Sequence, residues 1–452
     1  MKKFKIIGSY EFDEVLVTLD SDIEIVYVPL LDKFKKLSYG LDSIIRKIKR
    51  LGILPSESGY DLMCFASLVY LSDTRISRAL HSQDTWTREI IVSLPVGNID
   101  AWNSAKSKIS RMLNFLTGDI WTIEFSKREY FFDLSESEET LDGEFDVVSL
   151  FSGGMDSLIS SINLLEEGKR LVLVSHAGDG VTKKSQRDIL DEFSEKYSAN
   201  MFEYLDLWMV FEKKFILDGG EEKTTRSRSF LFIAFAVFIT SGIDGINEVV
   251  IPENGLIALN VPLDNLRVGS HSTRTTHPFY LMMWNDILMK VGLDIDMINP
   301  FWNMTKGEMA SECLNKGFLY EIIDKSMSCS SPVKATWNHN PPQHCGYCVP
   351  CIIRRAAMNK AFGFGADNTV YTTLSVSDIV RNHSSGQGVQ LRSFQYAISR
   401  VKNNPLVART LIHKSGPLNH DKTYLEELAS MYVRGLMEVD NFISNSEEAE
   451  KC

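Results

Sequence analysis

The residues Ser152-Gly153-Gly154-Met155-Asp156-Ser157 stand directly after an apolar run over 145–151. Two adjacent glycines let a ligand approach the backbone closely, and the side chains that follow open a helix. The free N–H groups and positive dipole end of a helix start suit an anion such as phosphate. No Gly-Lys-Ser/Thr follows, so the loop is not of the Walker A kind. The competing reading is a tight Gly-Gly turn with a Ser/Asp helix cap.

Cys345, Cys348 and Cys351 recur at every third position, with Cys329 upstream. Four thiolates match a closed tetrahedral zinc site, and closed sites serve structure rather than catalysis. An iron–sulfur cluster is the other metal reading, and His339 and His344 are alternative ligands. The chain has seven cysteines, an odd number with local clustering, which argues for metal over disulfides.

Weaker signals surround these two. Glu253 and Asn254 follow a short strand; they could read the edge of a purine-like base or form a plain Pro-Glu-Asn-Gly turn. Arg274, with Thr273 and Thr276 beside it, could hold a phosphate or carboxylate through paired hydrogen bonds. His277, before Pro278, reads as a helix-start residue or as a proton-transfer group. Arg226 and Arg228 precede an apolar helix, where a cation opposes the dipole unless an anion is bound; a solvated basic face is the alternative. Lys306 carries the same two readings.

Chemistry at these positions needs a frame. From 145 onward, short apolar strands over 145–151, 170–175, 201–207, 248–251 and 296–298 alternate with helices over 158–165, 183–197, 227–239 and 279–291. That alternation predicts an α/β fold with a parallel sheet covered on both faces. Residues 1–140 read as an α+β unit, with a hairpin of strands over 14–19 and 23–28, a buried helix over 60–71, and strands over 90–94 and 120–125 around a helix over 99–116. Acidic residues 135–139 read as a linker. Residues 362–452 form a mostly helical extension, with an amphipathic helix over 424–439 and a frayed acidic tail from 444.

The chain of 452 residues carries 48 Lys plus Arg against 59 Asp plus Glu, a net charge of -11. That field repels nucleic-acid backbones and anionic lipids, so no broad nucleic-acid surface is expected. No apolar run reaches the ~20 residues of a membrane span. Neither an apolar signal segment nor a cleavage site follows the basic first residues, so a cytoplasmic location is expected.

The Ser-Gly-Gly-x-Asp-Ser loop after an apolar strand resembles that of the PP-loop ATP pyrophosphatases, which have a Rossmann-like fold. Together with the Cys345–Cys351 pattern and Arg354, with Arg226-Ser-Arg228-Ser-Phe-Leu-Phe, and with Asn299-Pro300-Phe301 and Thr305-Lys306-Gly307-Glu308, it is similar to the QueC family, the 7-cyano-7-deazaguanine synthases. The resemblance covers residues 145–361, and within it the chain is most like the QueC-like proteins of Qat anti-phage defence systems. It implies that Ser152, Gly153, Gly154, Asp156, Ser157 and Arg228 hold ATP, with Asp156 also placing Mg2+. It further implies that Asp156, Arg226, Arg274 and Lys306 act in catalysis, and that Glu253, Asn254, Thr273, Thr276 and His277 contact the substrate. Cys329, Cys345, Cys348 and Cys351 would bind Zn2+. The implied reaction is ATP-dependent adenylation of a 7-deazaguanine carboxylate with release of pyrophosphate. The added segments suggest a partner protein of the same defence system whose amine accepts the base. A nucleotide-binding scaffold and a plain nitrile-forming synthase are the alternatives. On this reading the loop serves chemistry, and Asp156→Ala leaves stability nearly unchanged.

Overall fold

Short apolar runs and amphipathic helices build two five-stranded sheets. The computed structural model describes residues 3–449 except 12–14, 21, 83, 85, 131, 133–143, 177, 210, 212–214, 216–221, 223, 225, 265–273, 374 and 376–385. The proposed linker at 135–139 and Thr273 thus lie outside the described residues.

The first sheet contains β1 (Lys3–Ser9), β2 (Leu16–Asp20), β3 (Ile23–Pro29), β4 (Glu89–Val96) and β5 (Ile120–Lys127), in the order β2-β3-β1-β4-β5. β2 and β3 form the expected antiparallel hairpin, and every other pair in the sheet is parallel. This half is therefore α/β, not α+β. The helix Ile99–Thr117 is the crossover that lets β4 and β5 run parallel. The central strand β1 was not expected. Its lysines disguise the alternation, because Lys3 pairs with Glu89 on the adjacent strand β4 and Lys5 with Glu124 one strand further, on β5.

The second sheet contains β6 (Val147–Leu150), β7 (Leu171–Ser175), β8 (Phe202–Asp206), β9 (Glu248–Val250) and β10 (Asp296–Ile298). All pairs are parallel, in the order β10-β9-β6-β7-β8. Each strand falls where the sequence alternation puts it. The chain order reverses between β6 and β9, and ligands of open α/β sheets bind at such a switch point, beyond the carboxyl ends of the strands.

The two sheets share one hydrophobic core. The helices Glu57–Arg75 and Ile99–Thr117 of the first half face Arg228–Thr240 and Pro278–Lys290 of the second. Phe65, Trp102, Phe230 and Trp284 are buried there, and the Phe230 and Trp284 rings stack at 4.8 Å. A second core joins the helices Gly386–Asn403 and Lys422–Ala449 to Val349–Phe362 and Gly255–Leu259. The last helix runs to Ala449 instead of fraying from 444, because Phe442, Ile443 and Ser446 are still buried. Among the described residues, no helix is long and apolar enough to cross a membrane.

Candidate functional site

The glycine loop leaves the carboxyl end of β6, the middle strand beside the switch point, and runs straight into the helix Met155–Glu166. Gly153 has φ +78°, and a Cβ there would sit 3.0 Å from the Gln186 side chain, so only glycine fits without strain. Its carbonyl accepts from Met327 N–H at 2.9 Å and from Ser185 Oγ at 2.9 Å. The Met155 N–H donates to Ser328 Oγ at 3.3 Å. Met327 and Ser328 thus clamp the loop from outside.

A cavity of about 380 Å³ opens beside it. Ser152, Ser157, His176, Thr182, Arg228 and Glu253 line it, with Thr275 and Thr276. Arg228 donates through Nη2 to the His176 carbonyl at 2.7 Å and through Nε to His176 Nδ1 at 3.4 Å. A guanidinium only donates, so His176 carries its proton on Nε2. Burial, with Arg228 beside it, pushes the imidazole down to about 4. His176 was not anticipated; the available signal was a polar residue directly after the fully buried strand β7. The Ser227 N–H donates to Asp73, whose carboxylate, with Asp119, pairs with Arg78 and Arg88 in the buried interior. The first half of the chain thereby fixes the start of the helix that carries Arg228.

Asp156 is buried below the loop. Its Oδ1 pairs with Lys306 Nζ at 2.7 Å, and its Oδ2 accepts from Asn254 Nδ2 at 2.8 Å. Burial alone would raise this carboxyl; Lys306 and hydrogen bonds from Glu253 and Asn254 overcome it and hold the group below the ordinary range. Glu253 moves the other way. Burial and the Asp156 charge push it well above the ordinary range. Asp156 is thus held beneath the loop by Lys306 and Asn254, while its Oδ1 has no hydrogen-bond partner among the described residues.

Several expected roles change. Asn254 is fully buried; its Oδ1 caps the helix Gly255–Leu259 and its Nδ2 holds Asp156, so its amide is committed before any base arrives. His277 is also fully buried: Nδ1 caps the helix Pro278–Lys290, Nε2 meets Ser415 Oγ at 3.2 Å, and burial pushes it down to about 3. Its helix-start reading stands, and contact with substrate does not follow. Neither Arg226 nor Arg274 lines the cavity. Arg226 donates to the Thr117 carbonyl at 2.8 Å and stacks on Trp86, while Arg274 donates to the Phe115 carbonyl at 2.9 Å and stacks on Phe115. The helix Ile99–Thr117 has no basic residue in its own last turn, and these two supply the positive charge its carbonyl end attracts. Arg354, fully buried, donates to Ser326 and Ile323 and is a structural strut.

The four expected thiols form one group. Cys329, Cys345, Cys348 and Cys351 have their sulfurs within 4.8 Å of one another, and both the Cys329–Cys348 and Cys345–Cys351 pairs are 3.9 Å apart. Zinc–sulfur bonds of ~2.3 Å in a tetrahedron place sulfurs about 3.8 Å apart, so the group could hold such an ion. Hydrogen bonding with Cys329 pulls Cys345 and Cys348 below the ordinary thiol range. His344 lies outside the group; its Nε2 accepts from Ser328 N–H at 3.2 Å. The group is joined to the loop, since Cys329 directly follows Met327 and Ser328.

No family model matches the chain, and the comparison with curated proteins returns no match.

Proposed function

We propose that this protein is a PP-loop ATP pyrophosphatase of the QueC-like kind, which adenylates a carboxylate on a 7-deazaguanine and passes the acyl group to an amine. The observation that carries this reading is the glycine loop at the switch point of a β10-β9-β6-β7-β8 sheet, beside a cavity whose one arginine is Arg228. ATP supplies the adenylyl group that activates the carboxylate, and pyrophosphate is the leaving group.

The protein's own contribution is positioning and charge. The Ser152 and Ser157 hydroxyls, the helix start and Arg228 receive phosphate oxygens. His176 and Thr182 line the same cavity. Asp156 and Lys306 act beneath the loop as its anchor. The thiol group would hold one structural Zn2+, which fixes Met327 and Ser328 against Gly153. A role in anti-phage defence, and transfer of the base to an amine of a partner protein, extend the same chemistry.

Incubation with Mg·ATP and 7-carboxy-7-deazaguanine tests the reading by pyrophosphate release. Release that depends on both substrates and is lost in Arg228→Ala is the expected result. ATP binding without any release would reduce the protein to a nucleotide-binding scaffold. Intact-mass spectrometry of a co-expressed partner tests the amine step, which predicts a deazapurine adduct.

A further inference from the structure

The helix Lys422–Ala449 lies outside the residues that carry the resemblance, yet one of its faces grips the segment that holds Lys306. Glu427, Arg434 and Glu438 recur at helical spacing along that face. Glu427 accepts from Asn303 Nδ2 at 3.1 Å. Arg434 donates through Nη2 to the Asn303 carbonyl at 2.7 Å and through Nε to Glu308 Oε1 at 2.8 Å. Both of these side chains are exposed. Glu438 reaches further in and is buried. Its Oε2 accepts from Thr305 Oγ1 at 2.6 Å and its Oε1 from the Gly307 N–H at 3.0 Å, with Lys360 Nζ 3.4 Å from Oε2.

Thr305 and Gly307 flank Lys306. That lysine opens the helix Lys306–Ser311, and its ammonium pairs with Asp156 beneath the glycine loop at 2.7 Å. A lysine carries its charge on a flexible four-carbon stem, so the ammonium is placed only as well as the backbone that bears it. The Glu438 carboxylate fixes that backbone on both sides. It also completes the helix start: the Thr305 hydroxyl accepts from the Glu308 N–H at 3.1 Å and gives its one hydrogen to Glu438. A negative charge is favourable beside the free N–H groups of a helix start. The contact is close, since a Cβ on Gly307 would stand 2.6 Å from the carboxylate and would push it out.

Glu438 is not needed to attach its own helix. Leu428, Tyr432, Leu436 and Val439 are buried in the second core and do that through apolar packing. A carboxylate on the same helix, spent on the two neighbours of Lys306, serves the placement of that residue.

We propose that Glu438 is a positioning residue for the phosphate loop: through Thr305 and Gly307 it holds Lys306 where the ammonium fixes Asp156, and with it the loop. The consequence for the nucleotide rests on the adenylation reading above. The segment that follows the resembling region thereby takes part in the site without touching the ligand.

Amide hydrogen exchange of the full chain reads this relay without any ligand. Glu438→Ala should speed exchange across the glycine loop and the first turns of the helix Met155–Glu166 by about tenfold or more. Glu438→Gln, whose amide can still accept from Gly307 and meet Thr305, should restore most of the protection. Strand β4, in the other sheet, should be unchanged in both. Calorimetric titration should show the Kd of Mg·ATP raised about tenfold in Glu438→Ala and largely recovered in Glu438→Gln. Should Glu438→Ala fail to fold, Gly307→Ala, whose Cβ displaces the carboxylate, carries the test. Faster exchange confined to 303–309 overturns the proposal, as does an equal rise over β4, which would mark a general loss of stability. Loop protection that depends on Glu438, in a protein that does not bind Mg·ATP, supports the relay and overturns the adenylation reading.

Discussion

Asp156 shows how burial changes the meaning of a motif residue. Its position in the loop suggests contact with ligand, yet its carboxylate is spent on Lys306 and Asn254. Removing it leaves a buried ammonium without a counter-charge, so Asp156→Ala should cost about 3–5 kcal/mol of stability, against the expectation of almost none. Chemical denaturation measures this, and adding Lys306→Met should recover most of the loss. An unshifted Asp156→Ala midpoint would count against the anchor role. His277 offers a test by pH. In the folded protein it stays neutral down to about 3, whereas in the unfolded chain it takes up a proton near pH ~6.5. The unfolded chain therefore binds more protons in between, so this residue's contribution is complete above pH ~6.5 and is lost as the pH falls. His277→Asn, which can still cap the helix, should remove about 1.4 kcal/mol per pH unit from the slope of stability between pH ~6 and ~4. Parallel profiles for the two proteins would show that His277 does not titrate this way.

Among the elements, the segment from Met327 to Cys351 does two jobs. Its thiols gather into one group, and the residues just before Cys329 hold the glycine loop through Gly153 and Met155. Site formation contributes directly to folding free energy in structural metal sites. A bound ion would therefore stiffen the loop from a distance. Chelation, or Cys348→Ser, should lower the Tm and raise amide exchange across 152–157 together. Elemental analysis should find one zinc per chain; iron with sulfide, or no metal, would rule out the zinc assignment. The helix Ile99–Thr117 makes the complementary point. Its carbonyl end attracts Arg226 and Arg274 away from the cavity, because that end lacks cations of its own.

At the scale of the molecule, two sheets that look like separate domains in the sequence share one interior. Phe230 packs on Trp284 from its own half and on Phe65 from the other, the latter ring at 6.0 Å. Phe230→Ala should cost about 3–5 kcal/mol. Because the core is common, calorimetry should show one unfolding transition for these halves in both proteins. Two resolved transitions, with only one shifted by the substitution, would mean that the halves fold independently.

The second sheet was legible because every strand is an apolar run and every crossover an amphipathic helix, and both periods are local properties of the chain. The glycine loop and the thiol spacing were legible for the same reason, since adjacent residues fix a turn or a half-site. β1 was not, because its lysines find their partners on other strands of the sheet, β4 and β5. Nor were the positions of Arg226, Arg274, Asn254 and His277. Each is polar and near a strand or helix end, and sequence alone cannot tell a group that faces a cavity from one that caps a helix. The tertiary structure decided that by contact: Asn254 and His277 are fully buried and are satisfied inside the protein, while the half-buried Arg226 and Arg274 donate to the carbonyl end of the helix Ile99–Thr117. His176 became visible only when distant segments closed the cavity around it.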